Sequence, residues 1–256
     1  MSDRFFSEVP IEGPVVELAG SEAHHLAHVL RAEPGRRVVL FDGLGAEYDA
    51  VVEWIGRRAV RVRVEGRREG AREWPLRVSL AVALPKGERQ RWLVEKCVEL
   101  GLARLVPLRT ARSAAEPTDA ALARLRRAVV EASKQCGRNR LMRIDPPRQW
   151  LEWAATAPAR CCRLIAQPGG TDSGAWLPTG PAPTAALAEN ARAENAPREV
   201  DVQLAVGPEG GWTDEELAAA RASGWRSVDL GPTILRVETA AVAMVAQLAA
   251  EWRLRR

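Results

Sequence analysis

Lysine is nearly absent from this chain. Of 37 basic residues, all but Lys86, Lys96 and Lys134 are arginine. A genome biased toward arginine codons explains that ratio but not where the charge falls. Long apolar runs are missing too. A bilayer span needs ~20 apolar residues, and even Ala240–Ala250 is broken by Gln247. The opening Met-Ser-Asp-Arg-Phe-Phe carries charge where a secretion signal places its apolar stretch. The expectation is a cytoplasmic protein. Cysteine is scarce: Cys97, Cys136, Cys161 and Cys162 show no C-x-x-C spacing, and the adjacent pair suits a buried strand of reduced thiols. Only three histidines occur, His24, His25 and His28. His24 and His28 share a helical face as two metal ligands would, but no Cys, Asp or Glu at ligand spacing adds a third, and H-E-x-x-H is absent. No metal is expected. G-x-S-x-G is also absent, which excludes a Ser-His-Asp hydrolase.

What remains is a globular chain of 256 residues, 46% hydrophobic and 27% charged, long enough for one large domain or two modest ones. Its net charge is −2 over residues 1–74, +9 over 75–150 and −3 over 151–256. A basic middle between mildly acidic ends suits a polyanion, and the planar guanidinium matches phosphate. Arg138 and Arg140 are the expected phosphate contacts.

The pattern divides near Arg72–Pro75. Before it, a helix capped by Ser21 and running to Arg31 precedes strands Arg36–Phe41, Ala46–Ile55 and Ala59–Val64, separated by glycines. This is a small β-rich module. After it, strands at Val78–Leu84, Leu102–Leu108, Cys162–Ala166, Val202–Val206 and Ser227–Leu230 alternate with helices at Glu88–Leu100, Asp119–Cys136 and Val237–Trp252. Such alternation predicts an α/β domain with a mostly parallel sheet. The Pro-, Gly- and Ala-rich stretch Pro168–Pro197 reads as a variable excursion without catalytic residues.

The segment from Leu204 to Leu217, Leu-Ala-Val-Gly-Pro-Glu-Gly-Gly-Trp-Thr-Asp-Glu-Glu-Leu, is the most informative. A buried strand runs into a turn with three glycines, and Thr213 with Glu216 forms a capping box. Glycines at a strand's C-terminal end let backbone approach a ligand. Neither G-x-x-x-x-G-K-Ser/Thr nor G-x-G-x-x-G is present, and Glu209 with Asp214–Glu216 opposes a polyphosphate. A nucleoside cofactor without a phosphate chain fits better. A second glycine turn, Gly231-Pro-Thr-Ile-Leu-Arg-Val-Glu-Thr-Ala240, follows the next strand, so the two loops together predict a pocket.

These loops, with His24-His-Leu-x-x-Val-Leu-Arg31, Phe41-Asp-Gly43, Lys86-Gly87, Lys96-x-x-Glu-Leu-Gly101 and Glu131-Ala-x-x-Gln-x-Gly-Arg138, resemble the RsmE family across nearly the whole chain. Its members are 16S ribosomal RNA uridine-N3 methyltransferases of the SPOUT, or trefoil-knot, class. The resemblance implies a PUA-like RNA-binding domain over residues 1–73, a knotted methyltransferase domain over 74–256, S-adenosylmethionine as cofactor, and a homodimer acting on the small ribosomal subunit. It implies cofactor contacts from Leu204, Val206, Gly207, Pro208, Glu209, Gly210 and Gly211, and from Leu230, Gly231, Ile234, Leu235, Arg236, Thr239 and Ala240. Arg4, His25, Arg31, Lys86, Arg112, Arg138, Asn139 and Arg140 become RNA contacts. Arg236 is the expected stabiliser of a uracil losing its N3 proton, with Glu238 orienting it or serving as base. Two alternatives stay open, a 2′-O-ribose methyltransferase on the same fold and a non-catalytic RNA-binding protein. The latter has no need of two glycine loops.

Overall fold

The computed structural model describes residues 3–69, 72–74, 76–113, 116–156, 161–170, 176–177 and 201–254. Two compact units result: residues 1–73 with 130–141, and residues 74–129 with 142–256. The boundary residue Pro75 lies outside the described residues, as does most of the 168–197 stretch.

The first unit holds β1 (Arg4–Phe6), β2 (Val15–Ala19), α1 (Gly20–His24), β3 (Arg37–Phe41), β4 (Ala46–Ile55) and β5 (Ala59–Glu69). Its five strands run in the order β1-β3-β4-β5-β2, with β1 parallel to β3 and the other pairs antiparallel. In β4, Ala46, Tyr48, Ala50 and Val52 are buried and the residues between them are not, the period-two signature of a sheet with one wet face. Phe5, Leu26, Leu40, Val60 and Val62 form the centre of its core.

The expected helix from Ser21 to Arg31 is different in detail. Ala19 stands at the N-cap without a side-chain bond, Ser21 lies inside the first turn, and α1 passes into a wider π-helical turn at His25–Val29. There the Leu30 amide reaches back to the His25 carbonyl at 2.9 Å, and Arg31 ends the turn with a left-handed φ of +46°. Strands β1 and β2 escape a sequence reading because each is short.

The second unit contains β6 (Arg77–Val82), α2 (Arg89–Glu99), β7 (Arg104–Arg109), α3 (Asp119–Cys136), β8 (Arg143–Ile144), β9 (Arg148–Gln149), α4 (Trp150–Ala155), β10 (Cys161–Ala166), β11 (Asp201–Val206), α5 (Asp214–Ala222), β12 (Arg226–Val228) and α6 (Val237–Leu254). From Val130 onward, α3 counts with the first unit. The sheet order is β12-β10-β11-β6-β7-β8, with β9 beside β7, and every pairing is parallel. Leu80, Val82, Leu105, Leu164 and Leu204 are fully buried. This is why these strands read as continuous apolar runs rather than alternations. Trp150, Trp153, Trp212 and Trp225 pack with ring centroids 4.6–6.2 Å apart in the core against β7, β10 and β11. Cys161 and Cys162 are half-buried in β10, and burial pushes the Cys161 thiol up to about 11 and Cys97 up to about 12. No helix of the described residues is long and apolar enough to cross a membrane.

Candidate functional site

The C-terminal ends of β10, β11 and β12 are neighbours in the sheet, where open α/β folds place ligands. β11 ends at Val206 and passes into Gly207–Trp212. The Gly211 amide closes the turn on the Pro208 carbonyl at 2.9 Å, and its φ of +69° suits glycine. Thr213 and Glu216 then form the expected capping box, with bonds of 2.9 and 3.2 Å. The same Glu216 carboxylate accepts the Ala111 amide at 2.8 Å. Arg112 donates to the Gly210 carbonyl at 2.9 Å and to the Trp212 carbonyl at 3.3 Å, while the Trp212 indole donates to the Ala166 carbonyl at 3.0 Å.

The second loop follows β12. Asp229 accepts the amides of Gly169 and Gly231, both at 3.0 Å, and Gly231 takes a φ of +117°. The chain then runs through Thr233, Ile234 and Leu235 into α6. Between the loops lies a pocket of about 680 Å³, its open mouth included.

Of the residues expected to contact the cofactor, Val206, Gly207, Pro208, Glu209, Gly211, Leu230, Gly231, Ile234, Leu235 and Ala240 line this pocket. Four expected cofactor residues do not. Leu204 is sealed inside β11. Gly210 faces away, and a Cβ there would meet the Arg112 side chain at 3.1 Å rather than a ligand. Arg236 and Thr239 are exposed beside the lining, because Val237 and Ala240, three residues apart, present the helix face that closes the pocket. The structure adds Ala166, Gln167, Pro168, Trp212, Asp229, Thr233 and Val237 to the lining. Gln167 and Pro168 were findable only with the knowledge that β10 lies between β11 and β12.

The expected Arg236–Glu238 pair is replaced by another. Glu238, 6% exposed, faces Arg89, with Nη1 3.7 Å from Oε2, and the other end of that guanidinium lies 3.4 Å from Glu209. Arg89, the first residue of α2, thus links the glycine loop to the first turn of α6. Among the described residues Glu238 Oε2 has no hydrogen-bond partner and Arg236 has no ion pair.

Three residues expected to contact RNA make internal contacts in the structure. Arg138, 3% exposed, donates to Glu73 at 2.8 and 3.1 Å. Arg4 pairs with Glu47 at 2.9 Å and contacts Asn139, which also donates to Glu47. Burial pushes the Glu47 carboxyl up, but the hydrogen bonds from Arg4 and Asn139 and the charge of Arg68 outweigh it and hold it below its usual value. Arg112 is exposed and donates through Nη1 to the loop carbonyls. Arg31 and Lys86 are exposed, Arg140 is half-buried, and half-buried His25 lies against the Phe5 ring at 5.8 Å. Among the described residues no three His, Cys, Asp or Glu side chains converge as metal ligands.

The pocket's chemistry fits a cationic nucleoside. Leu230, Leu235, Val237 and Ala240 offer an apolar wall, two loops offer backbone, Glu209 offers a carboxylate, and no lysine or arginine enters the lining to seat a polyphosphate. The cofactor expected from the sequence, S-adenosylmethionine, has this character.

Comparisons with known proteins agree with the geometry. Residues 72–249 match the family described as RNA methyltransferase domain, and residues 18–65 match the RNA methyltransferase PUA domain. The chain is 33% identical over 233 residues to a Synechocystis ribosomal RNA small subunit methyltransferase E, covering 91% of this chain and 72% of that protein. It is 32% identical over 260 residues to the Mycobacterium bovis protein of that name, covering 97% and 92%. The crystal structure of ribosomal RNA small subunit methyltransferase E from Neisseria gonorrhoeae bound to S-adenosyl methionine superposes with a TM-score of 0.80 at 27% identity, covering 98% of each chain.

Proposed function

Because the chain belongs to the ribosomal RNA small subunit methyltransferase E family, we infer that it methylates N3 of a uridine in 16S ribosomal RNA with S-adenosylmethionine. The observation that carries this reading is the pocket between the 207–212 and 229–236 loops, apolar on one wall and free of basic residues. When bound there, S-adenosylmethionine supplies an electrophilic methyl group. Leu230, Leu235, Val237 and Ala240 hold the nucleoside, the glycine loop brings backbone against it, and Glu209 favours its positive charge. Positioning of this kind supplies much of the acceleration in a two-substrate reaction.

Arg236 is the residue available to the incoming base. It is exposed, has no ion pair among the described residues, and directly follows pocket-lining Leu235. A guanidinium beside uracil N3 stabilises the anion left when that proton departs to water. Glu238 acts through Arg89 as a positioning group for the loop and the helix start, not as partner to Arg236. Ile234, 83% exposed at the pocket mouth, is the apolar group that a second copy of the chain would cover, which supports the homodimer. Residues 1–73 would hold RNA and residues 74–256 would carry the transfer, and a ribosomal substrate is what supports the cytoplasmic location.

The test uses small ribosomal subunits from a strain lacking this protein, incubated with the protein and isotope-labelled S-adenosylmethionine. Mass spectrometry of the digested RNA should find one new label, on the N3 of a uridine. Label on a ribose hydroxyl would overturn the reading in favour of 2′-O transfer.

A further inference from the structure

Several arginines of the first unit are neutralised by its own acids. Arg4, Arg36, Arg63, Arg67 and Arg68 each pair with a carboxylate at 2.6–3.4 Å. Arg57 and Arg58, at the turn between β4 and β5, have no carboxylate partner among the described residues, and both are exposed. They line a cleft of about 620 Å³, mouth included, whose opposite wall is α1 and the π-helical turn, with His24 and His28. The two imidazoles lie with ring centroids 4.8 Å apart. Four nitrogen-rich side chains therefore converge on one hollow without an opposing acid in its lining.

Beside this cleft stands a tryptophan that the strand pattern should have hidden. Strict alternation in β4 buries Ala46, Tyr48, Ala50 and Val52 and assigns Trp54 to the same inner face. A register shift between Val52 and Trp54 inserts Glu53 as an extra residue, and Trp54 pairs across to Arg61 on the outer face. Bulges re-aim side chains in this way, and they are over-represented next to functional sites. Trp54 is consequently 50% exposed, with the Arg61 guanidinium 5.9 Å from its ring centroid. Its ring edge lies over Gly56, where even a Cβ would approach it to 2.1 Å, and Gly56 is itself part of the cleft lining. The flat apolar ring and the basic hollow are contiguous through that glycine.

We propose that Trp54 and the Arg57, Arg58, His24 and His28 cleft form a single-stranded RNA subsite on the N-terminal unit, with a base stacked on the indole and the adjoining phosphate held by the arginines. Stacking on an aromatic face and backbone capture by cations are the two contacts that unpaired RNA offers and a duplex hides. The subsite rests on the reading of ribosomal RNA as substrate, and it adds a contact that residues of the S-adenosylmethionine pocket do not make.

Fluorescein-labelled single-stranded decauridine, titrated into the full-length protein and followed by anisotropy, reads the subsite directly. Trp54→Ala should weaken binding about 5- to 150-fold, the range for loss of one base–aromatic stack, and leave the salt slope unchanged. R57Q with R58Q should weaken binding and flatten the slope by about 0.7, the value for one phosphate of a single strand. Trp54→Phe, which keeps an aromatic face, should restore most of the affinity, and unchanged thermal midpoints and S-adenosylmethionine affinity verify that each variant is folded. Wild-type affinity and salt slope in both variants, or an equal loss from Arg37→Gln, an exposed arginine outside the cleft lining, would overturn the proposal. Such a result with a wild-type protein that still methylates small subunits sinks the subsite alone. A wild-type protein that binds no S-adenosylmethionine and transfers no methyl group sinks the functional reading instead.

Discussion

The two loops that make the pocket are held in opposite ways. The 207–212 loop is fastened from every side by its own unit: Arg112 takes two of its carbonyls, Trp212 bonds to the end of β10, and Glu216, 4% exposed, ties the following helix to Ala111. The 229–236 loop has one internal staple, Asp229, and ends in exposed Ile234 and Arg236. The lesson is a division of labour. A prebuilt wall can orient a cofactor at no reorganisation cost when the reaction occurs, whereas the open wall keeps an apolar tip and a free cation for whatever the pocket meets next.

Removing the free cation gives the sharpest contrast. Arg236→Ala should lower the single-turnover methylation rate on small subunits by roughly 10²–10³, the usual worth of one preorganised charge-assisted contact. S-adenosylmethionine affinity, measured by calorimetry, should hardly move. Lost affinity with a normal rate at saturation would make Arg236 part of the pocket wall.

The fastened loop should respond in affinity instead. A Cβ on Gly207 would meet the Trp212 ring at 2.8 Å, and Trp212 is buried in the tryptophan core. Gly207→Ala should therefore weaken cofactor binding about 5- to 150-fold, matching an overpacking cost of ~1–3 kcal/mol. Gly210→Ala, whose Cβ meets only the Arg112 stem, should do much less; equal effects in the two variants would show that the loop tolerates or rejects side chains without regard to Trp212.

Arg112→Ala removes two hydrogen bonds from a charged donor to loop carbonyls. The expected loss is about tenfold in cofactor affinity, near the lower end for such bonds, with an unchanged salt dependence of RNA binding. A reduced salt slope would return Arg112 to the RNA surface.

The smallest effect belongs to the cap. Thr213→Ala deletes the side-chain half of the capping box and should cost ~1 kcal/mol of stability, seen as a thermal midpoint lower by a few degrees. The methylation rate at saturating cofactor should be unaltered, because the remaining fastenings of the loop are intact.

Much of this was legible in the chain because it is local. Three glycines after an apolar strand, a Thr and a Glu three residues apart, and a second glycine turn beginning twenty residues after the first ends are facts of spacing, and α3 fits its expected bounds, Asp119–Cys136, for the same reason. Trp54 and Arg138 mark where the sequence alone misleads. Alternation assigns Trp54 to the core, and only the pairing of β4 with β5 shows the extra residue that turns it out. A basic run assigns Arg138 to RNA, whereas its guanidinium donates to Glu73, 65 positions away. The same holds for Glu238, whose neighbour in sequence is Arg236 but whose neighbour in space is Arg89. Spacing along a chain determines backbone conformation and which residue types are present at a strand end. Which charge meets which is decided by strand order and register, and these bring together groups that no periodicity connects.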